Sequence, residues 1–191
     1  RQNLSIVIVT LKSEKVIHQC IKSIDEDIPI IIVQNSNNLK FKEALESKYN
    51  NIKCILSNSN LGMGAGNNIG INAAKTDYVF IINPDVILEK NTLEELFTAS
   101  NQLPNFVILS PLERSSQNYG TKKVDVMDFP FKVDFVDGFA MLLNKKNFNE
   151  KIFFDENFFM YLENNDLCKR IINNGGSIFV VPKSRIYHLA A

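Results

Sequence analysis

Two acidic segments in this chain of 191 residues have the residue types and spacing to do chemistry. The first is Asn83-Pro84-Asp85, which follows residues 78–82, an apolar run of aromatic and branched residues typical of a strand buried on both faces. Pro84 cannot continue a central ladder, so Asn83 and Asp85 should lie at the carboxyl end of that strand, where open α/β sheets bind ligands. A carboxylate there suits a divalent cation that bridges phosphates. A solvated turn explains these residue types equally well.

The second acidic segment begins a predicted helix at residues 163–173. Glu163 and Asp166 are three positions apart and should share one face of that helix, where a carboxylate could act as a general base. The structural alternatives are complementation of the helix dipole and a surface pair between Asp166 and Arg170. The preceding residues 153–162 are dense in aromatic side chains, which predicts core and pocket wall.

A glycine-rich stretch covers residues 58–70 and runs into a helix. Glycines let backbone amides approach a phosphate, and a helix amino terminus favours an anion. However, the spacing of Gly64, Gly66 and Gly70 is neither a dinucleotide fingerprint nor a P-loop. Close packing of the helix on a strand is therefore slightly favoured over a phosphate contact.

Strand patterns alternate with helix patterns along the chain, which predicts an α/β fold with a doubly wound, mostly parallel central sheet. The predicted strands cover residues 4–10, 30–33, 52–56, 78–82, 106–110, 133–143 (broken at Asp137-Gly138) and 177–181. The predicted helices cover residues 13–24, 41–49, 91–100 and 163–173, besides the one that follows the glycines and ends near Lys75. The polar residues 113–123 predict a mobile loop.

The composition excludes several classes of protein. Lys and Arg number 21 and so do Asp and Glu, so no net field recruits nucleic acid or an anionic membrane. The three cysteines, Cys20, Cys54 and Cys168, are widely spaced, which is typical of a reducing compartment and indicates a cytoplasmic location. No apolar run is long enough to span a membrane. We expect a chain truncated at its C-terminus, with any peripheral association at the inner face of the cell membrane left to segments outside it.

Taken in order, the motifs resemble family 2 glycosyltransferases, and most closely the rhamnosyltransferase-like branch that builds bacterial surface polysaccharides. Each motif is short, but together they cover essentially the whole chain. The matching residues are Ile6-Val-Ile-Val-Thr10, Val33-Gln-Asn-Ser36, Asn60-Leu-Gly62, Gly66-Asn-Asn-Ile-Gly70, Asn83-Pro-Asp85, Val136-Asp-Gly-Phe139, Phe154-Asp-Glu-Asn-Phe-Phe-Met-Tyr161, Glu163-Asn-Asn-Asp-Leu-Cys168 and His188.

The resemblance implies a glycosyltransferase A fold, that of the nucleotide-diphospho-sugar transferases, in a single domain spanning residues 1–191. Residues 1–110 would bind a nucleotide-diphosphate sugar, and residues 124–191 would carry the acceptor and catalytic half. The implied enzyme inverts the anomeric carbon and transfers the sugar to a hydroxyl of a glycan or lipid-linked acceptor in the synthesis of the cell envelope.

The resemblance also implies roles for individual residues. Asp85 would be the metal ligand, Asn83 its weakened partner, and His188 would complete the sphere of Mn²⁺ or Mg²⁺. The donor-binding residues implied are Thr10, Gln34, Asn35, Ser36, Asn60, Gly62, Gly66, Asn68, Asn83, Asp85 and Gly138.

The catalytic base is where the chain departs from the family pattern. The family carries an Asp, its general base, at the position of Asn164, and an amide cannot take a proton. Glu163 or Asp166 would have to serve instead. We favour Glu163, because Arg170 is expected to hold Asp166; Asp137 is the next candidate.

Two further departures concern the donor. The family usually has Tyr-Asn where this chain has Leu11-Lys12, and an acid where it has Gln34.

Two other functions stay open. A non-catalytic nucleotide-sugar-binding domain would explain Asn164. A sugar nucleotidyltransferase would have a similar sheet, but the segment Leu11-Lys-Ser-Glu lacks the glycine-rich, basic loop typical of that class.

Overall fold

Strands and helices alternate along the part of the chain that the computed structural model describes, residues 3–189. The strands are β1 (Leu4–Thr10), β2 (Ile30–Gln34), β3 (Ile52–Leu56), β4 (Tyr78–Ile82), β5 (Val86–Leu88), β6 (Phe106–Glu113), β7 (Asn118–Tyr119), β8 (Lys122–Lys123), β9 (Phe131–Val133), β10 (Ala140–Asn144) and β11 (Ser177–His188). The helices are α1 (Ile17–Lys22), α2 (Leu39–Lys48), α3 (Gly62–Ala73), α4 (Thr92–Gln102) and α5 (Glu163–Asn173), and Lys145–Asn147 form a short 3₁₀ helix.

The parallel half of the sheet is built on β1, in which all seven residues are buried. β1 pairs in parallel with β2 and with β4, and β3 extends the sheet beyond β2. Strands covered by helices on both faces bury side chains at nearly every position, which is why β1, β2 and β4 are mostly apolar. The carboxyl ends of β1, β2 and β4 consequently meet at one edge.

The other half of the sheet is mixed. β10 lies antiparallel between β4 and β6, and β11 runs parallel to β6 and antiparallel to β5 and β9. The complete order is β3-β2-β1-β4-β10-β6-β11-β5, with β9 paired to β11 off this path. The predicted α/β class is confirmed, and the antiparallel insertion of β10 brings the segment before it to the edge formed by β1, β2 and β4.

Helices cover both faces of the sheet, as in a doubly wound fold. Side chains of α1, α2 and α4 pack with one face of the sheet into one apolar cluster, and side chains of α3 and α5 pack with the other face into a second. The buried helix residues that contribute include Ile17, Phe41, Leu45 and Leu96 in the first cluster and Ile71, Leu167 and Ile171 in the second.

Several predicted boundaries are wrong for identifiable reasons. The helix predicted at residues 13–24 is only α1, because residues before it form a turn closed by bonds to the Ser13 carbonyl. β11 does not stop before Pro182 but continues to His188, since the ladder shifts register between Val181 and Arg185 and then resumes. The predicted mobile loop at residues 113–123 contains the β7–β8 hairpin.

Candidate active site

Asp85 lies at the carboxyl end of β4, in the turn that leads into β5. The turn is closed by a bond from the Val86 amide to the Asn83 carbonyl, 3.1 Å, and the buried Cys20 thiol donates to the same carbonyl at 3.7 Å. Burial raises the pKa of Cys20, so this thiol stays protonated and able to donate. The turn therefore holds Asp85 on a supported backbone rather than on a free loop.

His188 reaches Asp85 from the end of β11. Its Nε2 lies 3.4 Å from Oδ1 of Asp85, and its ring stacks on Phe139 with centroids 4.7 Å apart. Oδ1 of Asp85 is buried and accepts no hydrogen bond from the described residues. The structure thus brings together the two residues predicted as metal ligands, and Oδ1 of Asp85, although near the His188 ring, accepts no hydrogen bond within residues 3–189.

Two adjoining clefts open at this edge of the sheet. The Asp85 cleft, of about 280 Å³, is lined by residues that include Val9, Leu11, Asn35, Asn60, Gly62 and Asp85. The Glu163 cleft, of about 530 Å³, is lined by residues that include Asn67, Asp137, Gly138, Glu163, Asn164 and His188. Met63, Asn83 and Met160 line both, so the two clefts form one continuous depression.

Asn35 and Asn60 shape the wall of the Asp85 cleft. The Asn35 amide nitrogen donates to Asn60 Oδ1 and to the Gly62 carbonyl, both at 3.0 Å, while its oxygen accepts from the Leu61 amide at 3.0 Å. Asn60 Oδ1 also accepts from the Gly62 amide at 3.1 Å. These predicted donor-binding residues tie the end of β2 to the start of α3 and thereby fix the cleft wall.

Gly66 and Asn68 line neither cleft, and neither do three other predicted donor residues, Thr10, Gln34 and Ser36. A Cβ on Gly66 would lie 2.8 Å from Cγ1 of Val9, so this glycine permits close packing of α3 on β1. Asn68 accepts from the Phe154 amide at 2.9 Å and donates to the Phe154 carbonyl at 2.8 Å. Of the two explanations for the glycine-rich stretch, close packing of the helix on a strand therefore applies to Gly66.

The ends of β1 and β2 lie beside the Asp85 cleft. Gln34 is buried, and its Oε1 accepts from the Ser36 hydroxyl at 2.7 Å. The backbone amide of Asn35 donates to the backbone carbonyl of Thr10 at 2.7 Å. The hydroxyl oxygen of Thr10 is itself buried without a partner among the described residues.

The aromatic segment before α5 crosses over the start of α3. The Met63 amide donates to the Phe159 carbonyl at 3.2 Å, and this carbonyl occupies the space that a Cβ on Gly62 would need. Tyr161 and Leu162 both have a positive φ, 67° and 69°, which is strained for non-glycine residues and clusters at functional sites. The segment thus forms an exposed rim of the Glu163 cleft in a conformation that its surroundings must maintain.

The first turn of α5 enters the Glu163 cleft end-on. Glu163, Asn164 and Asn165 all line the cleft, whereas Asp166 does not. The amino end of α5 points into the site, so consecutive residues of its first turn reach the cleft. Asp166 is instead held by Arg170, with 2.7 Å between Oδ2 and Nε, as predicted.

Glu163 and Asn164 differ in what they contact. Oε2 of Glu163 is buried without a hydrogen-bond partner among residues 3–189. The Asn164 amide nitrogen donates to the Val136 carbonyl at 2.8 Å, and Asn164 also packs against Gly138, where an added Cβ would lie 3.4 Å from Cβ of Asn164. Asn164 therefore positions the segment that carries Asp137.

Sequence reasoning missed Asn67, which lines the Glu163 cleft with its Oδ1 buried and unpartnered among the described residues. The signal was available, because Asn is disfavoured inside helices and α3 carries Asn67 and Asn68 in its middle. Met63 was also missed, since nothing in its sequence context distinguishes it from a core residue, whereas Met160 lies in the segment 153–162 that was predicted as core and pocket wall.

The described part of the chain, residues 3–189, contains no group of three or more His, Cys, Asp or Glu residues that could hold a metal ion by itself. Within the same residues, no helix is long and apolar enough to cross a membrane. Any cation at Asp85 and His188 would thus need further ligands from a substrate or from water.

Solved structures with the same architecture define the class of fold. GalNAc-T7, solved with UDP, GalNAc and Mn²⁺, has a TM-score of 0.77 at 17% identity, with 97% of this chain and 43% of that chain covered. Residues 1–349 of S. aureus TarS give a TM-score of 0.73 at 17% identity, covering 97% of this chain and 60% of that one. At this identity the likeness shows the fold, which is the glycosyltransferase A type.

The family follows from the sequence. The model of Glycosyl transferase family 2 matches residues 5–170, and the chain therefore belongs to this family, as its motifs predict. It is 28% identical to the low-salt glycan biosynthesis hexosyltransferase Agl10 of Haloferax volcanii, covering 88% of this chain and 61% of the relative. It is 24% identical to rhamnosyltransferase WbbL of Escherichia coli, covering 97% and 83%, and 21% identical to the N-acetylglucosaminyl-diphospho-decaprenol L-rhamnosyltransferase of Mycobacterium tuberculosis, covering 86% and 67%.

Proposed function

We propose that this chain transfers a sugar from a nucleotide-diphosphate donor to a hydroxyl of a glycan or lipid-linked acceptor, with inversion at the anomeric carbon. The observation that carries the proposal is a pair of buried carboxylate oxygens that accept no hydrogen bond from residues 3–189, Oδ1 of Asp85 and Oε2 of Glu163, on two joined clefts. An unpartnered buried carboxylate oxygen is costly, so it is typical of a site that a ligand completes. A cation would bind to Oδ1 of Asp85, and the acceptor hydroxyl would donate a hydrogen bond to Oε2 of Glu163.

Asp85 and His188 fit a Mn²⁺ or Mg²⁺ ion shared with the donor. Both ions favour carboxylate oxygen, and Mg²⁺ is usually held by one or two carboxylates together with substrate phosphates. A protein donor set of one carboxylate and one imidazole is therefore sufficient when a diphosphate supplies the remaining oxygens. The bound cation would neutralise the negative charge that develops on the departing nucleoside diphosphate.

The donor would lie across both clefts, with the nucleotide in the Asp85 cleft and the sugar in the Glu163 cleft. The hydrogen bond from Asn35 to Asn60 would keep the wall of the Asp85 cleft rigid, and Leu11 and Asn60 in that wall would face the nucleotide. In this arrangement residues 1–110 supply the donor half and residues 124–191 supply the acceptor and catalytic half.

Glu163 would act as the general base. The acceptor oxygen forms a bond to the anomeric carbon as its proton passes to Glu163, and the bond from that carbon to the diphosphate breaks with its electron pair leaving on the diphosphate. Attack from the side opposite the leaving group inverts the carbon. Proton removal in the transition state contributes about 10²–10⁴ in rate.

The relatives support a role in glycan assembly. One is named for glycan biosynthesis and another for transfer to an N-acetylglucosaminyl-diphospho-decaprenol. A lipid-linked acceptor for this chain would place it at the cytoplasmic face of a membrane, with surface polysaccharide as the end product. The chain spans 61% of the length of the Haloferax relative.

A non-catalytic nucleotide-sugar-binding domain is the second candidate, and the bond from Asn164 to Val136 is the observation that favours it. At the family's base position the chain has an amide committed to the backbone. A domain that only binds a nucleotide sugar would tolerate this substitution without a replacement base.

Binding and turnover of nucleotide sugars separate these candidates. A thermal-shift screen with and without Mn²⁺ should identify a donor that stabilises the fold by about 2.7 kcal/mol at 100-fold excess over its dissociation constant, and only with the metal. Proton NMR of the product formed with an acceptor should then show an inverted anomeric configuration. Metal-dependent binding without transfer or hydrolysis would favour the binding domain, and a retained configuration would reject the proposed mechanism.

A further inference from the structure

A third cleft adjoins the Glu163 cleft and shares no lining residue with the Asp85 cleft. This hairpin cleft, of about 380 Å³, lies between the end of β6, the β7–β8 hairpin and the segment before β10. It shares Asp137 and Phe139 with the Glu163 cleft and is therefore continuous with it. Its volume falls in the range of small-molecule sites, about 300–1,000 Å³.

The wall of the hairpin cleft is held by hydrogen bonds from two side chains, that of Arg185 outside the cleft and that of Tyr119 in its lining. The guanidinium of Arg185 donates to the carbonyls of Glu113, Ser116 and Val124, at 3.3, 3.1 and 3.3 Å. The Tyr119 hydroxyl donates to the Phe135 carbonyl at 2.6 Å and ties the hairpin to the opposite wall. The cleft is thus a built feature of the fold, which a ligand can enter without first ordering a loop.

The lining of the hairpin cleft selects a class of ligand. Tyr119, Phe135 and Phe139 contribute aromatic rings, and Asn118 contributes an amide. The charged side chains that line it within residues 3–189 are Glu113 and Asp137, both acidic. Carboxylates repel phosphate but accept hydrogen bonds from hydroxyls, while aromatic faces pack on apolar ring surfaces. This combination suits a neutral, hydroxyl-rich ring.

We propose that the hairpin cleft binds a neutral pyranose ring of the acceptor. This assignment rests on the proposed transfer function, in which the donor occupies the other two clefts. The acceptor hydroxyl would pass Asp137 and Phe139 to reach the sugar beside Glu163, because those two residues form the boundary between the clefts. A phosphate or lipid portion of the acceptor would lie outside the hairpin cleft.

Selective ¹⁵N labelling of glycine tests the assignment directly, because the chain has eight glycines in informative places. Gly120 lines the hairpin cleft, Gly62 lines the Asp85 cleft, and Gly175 lines none of the three. Methyl glycosides of glucose, galactose, rhamnose and N-acetylglucosamine serve as the probes, with inorganic pyrophosphate as the charged comparison. UDP, GDP and dTDP with Mg²⁺ report separately on donor binding.

We expect at least one methyl glycoside to shift the Gly120 amide signal saturably and to leave Gly175 unchanged, while pyrophosphate leaves Gly120 in place. Loss of all response at Gly120, or equal response to pyrophosphate, overturns the assignment. A nucleotide should shift Gly62 instead. If no nucleotide does so, the donor site fails, whatever happens at Gly120, and so the two proposals are tested separately.

Two matched phenylalanine variants sharpen the result. Phe135→Ala removes an exposed ring that lines the cleft, and Phe129→Ala removes an exposed ring that does not. We expect Phe135→Ala to weaken the binding of the responding glycoside about 3- to 10-fold, the scale of one aromatic contact, and Phe129→Ala to leave it unchanged. Equal affinities in the two variants would contradict a sugar packed on Phe135.

Discussion

The imidazole of His188 lies 3.4 Å from the carboxylate of Asp85 because the end of β11 pairs antiparallel with β5. That pairing aligns His188 with Val86, the residue after Asp85, and the Leu189 amide donates to the Asp85 carbonyl at 2.9 Å. The end of β11 therefore completes the site, and backbone bonds between β11 and the segment of Asp85 hold the two proposed metal ligands close together.

Replacing Asp85 by Asn should remove metal-dependent donor binding without loss of the fold. The amide keeps the shape of the side chain but not the charge that a divalent cation needs. Isothermal titration with the donor should show affinity that no longer depends on Mn²⁺. The thermal unfolding temperature without ligands should stay close to that of the wild type, since Oδ1 of Asp85 accepts no hydrogen bond from the described residues and its contact with His188 is long, at 3.4 Å.

Asp77→Asn is the matched control, because Asp77 lies just before β4 and Asp85 just after it. Asp77 pairs with Lys146 at 2.6 Å and lies at the opposite end of the strand. Its replacement should leave the Mn²⁺ dependence intact. If both variants bound donor with the Mn²⁺ dependence of the wild type, Asp85 would not be a metal ligand.

Gly70→Ala should destabilise the protein, although alanine is the better helix former. A Cβ on Gly70 would overlap Cγ1 of Val7, which is fully buried in the central strand. The propensity gain is about 1 kcal/mol, and overpacking a rigid core costs about 1–3 kcal/mol. Urea unfolding should therefore show a net loss of stability. In a Val7→Ala background the same substitution should cost less, and an equal cost in both backgrounds would contradict the steric explanation.

The sequence predicts the parallel half of the fold well because burial on both faces leaves a clear signal. β3, β4 and α5 have the predicted bounds. The mixed half is harder: β5 has only three residues, and β11 passes through Pro182 by a register shift that depends on β6 as its partner. Such features are determined by pairing between distant segments, and a single sequence does not display that pairing.

The candidate site divides in the same way. Asp85 and Glu163 can be predicted because their residue types fit the chemistry and their places follow from local elements. The structural roles of Asn35 and Asn68 cannot be predicted in this way. Each side-chain amide bonds to backbone groups that only the fold brings close, such as the Phe154 backbone for Asn68. A buried Asn in a motif therefore indicates an important position without showing whether it holds substrate or chain.

Stability should fall at alkaline pH through the buried thiols. Burial raises the pKa of Cys168 from an ordinary value of about 9 to about 11. The folded thiol holds its proton more tightly, so its contribution is complete below about pH 8 and is lost as the pH rises towards the folded pKa. By about pH 10 the loss should be on the order of 1 kcal/mol for this thiol.

Urea unfolding of the wild type and of Cys168→Ala at both pH values measures this contribution. The variant loses packing at neutral pH, but its free energy of unfolding should decline less between about pH 8 and about pH 10, because the titrating group is gone. Parallel declines in the two proteins would show that Cys168 does not titrate on unfolding.

Asn164→Asp should lower stability. The Asn164 amide donates to the Val136 carbonyl, and a carboxylate would place two acceptors face to face. Loss of this partly buried bond should cost about 1–3 kcal/mol in thermal or urea unfolding. Asn165→Asp adds the same charge one residue later at an exposed position and should change stability by less than about 0.5 kcal/mol. An equal loss of stability in the two variants would show that the added charge, and not the bond to Val136, is responsible.

The base assignment is tested by exchanging each acid of the α5 amino terminus for its amide. Glu163→Gln keeps the shape of a side chain that lines the cleft but removes its capacity to take a proton, so transfer should fall by about 10²–10⁴ while donor affinity stays within about twofold. Asp166→Asn breaks the pair with Arg170 outside the cleft, and it should reduce stability more than turnover. Turnover at saturating donor, together with donor affinity from titration, distinguishes the two outcomes. Full transfer by Glu163→Gln would move the base to Asp137, the other carboxylate that lines the Glu163 cleft within the described residues.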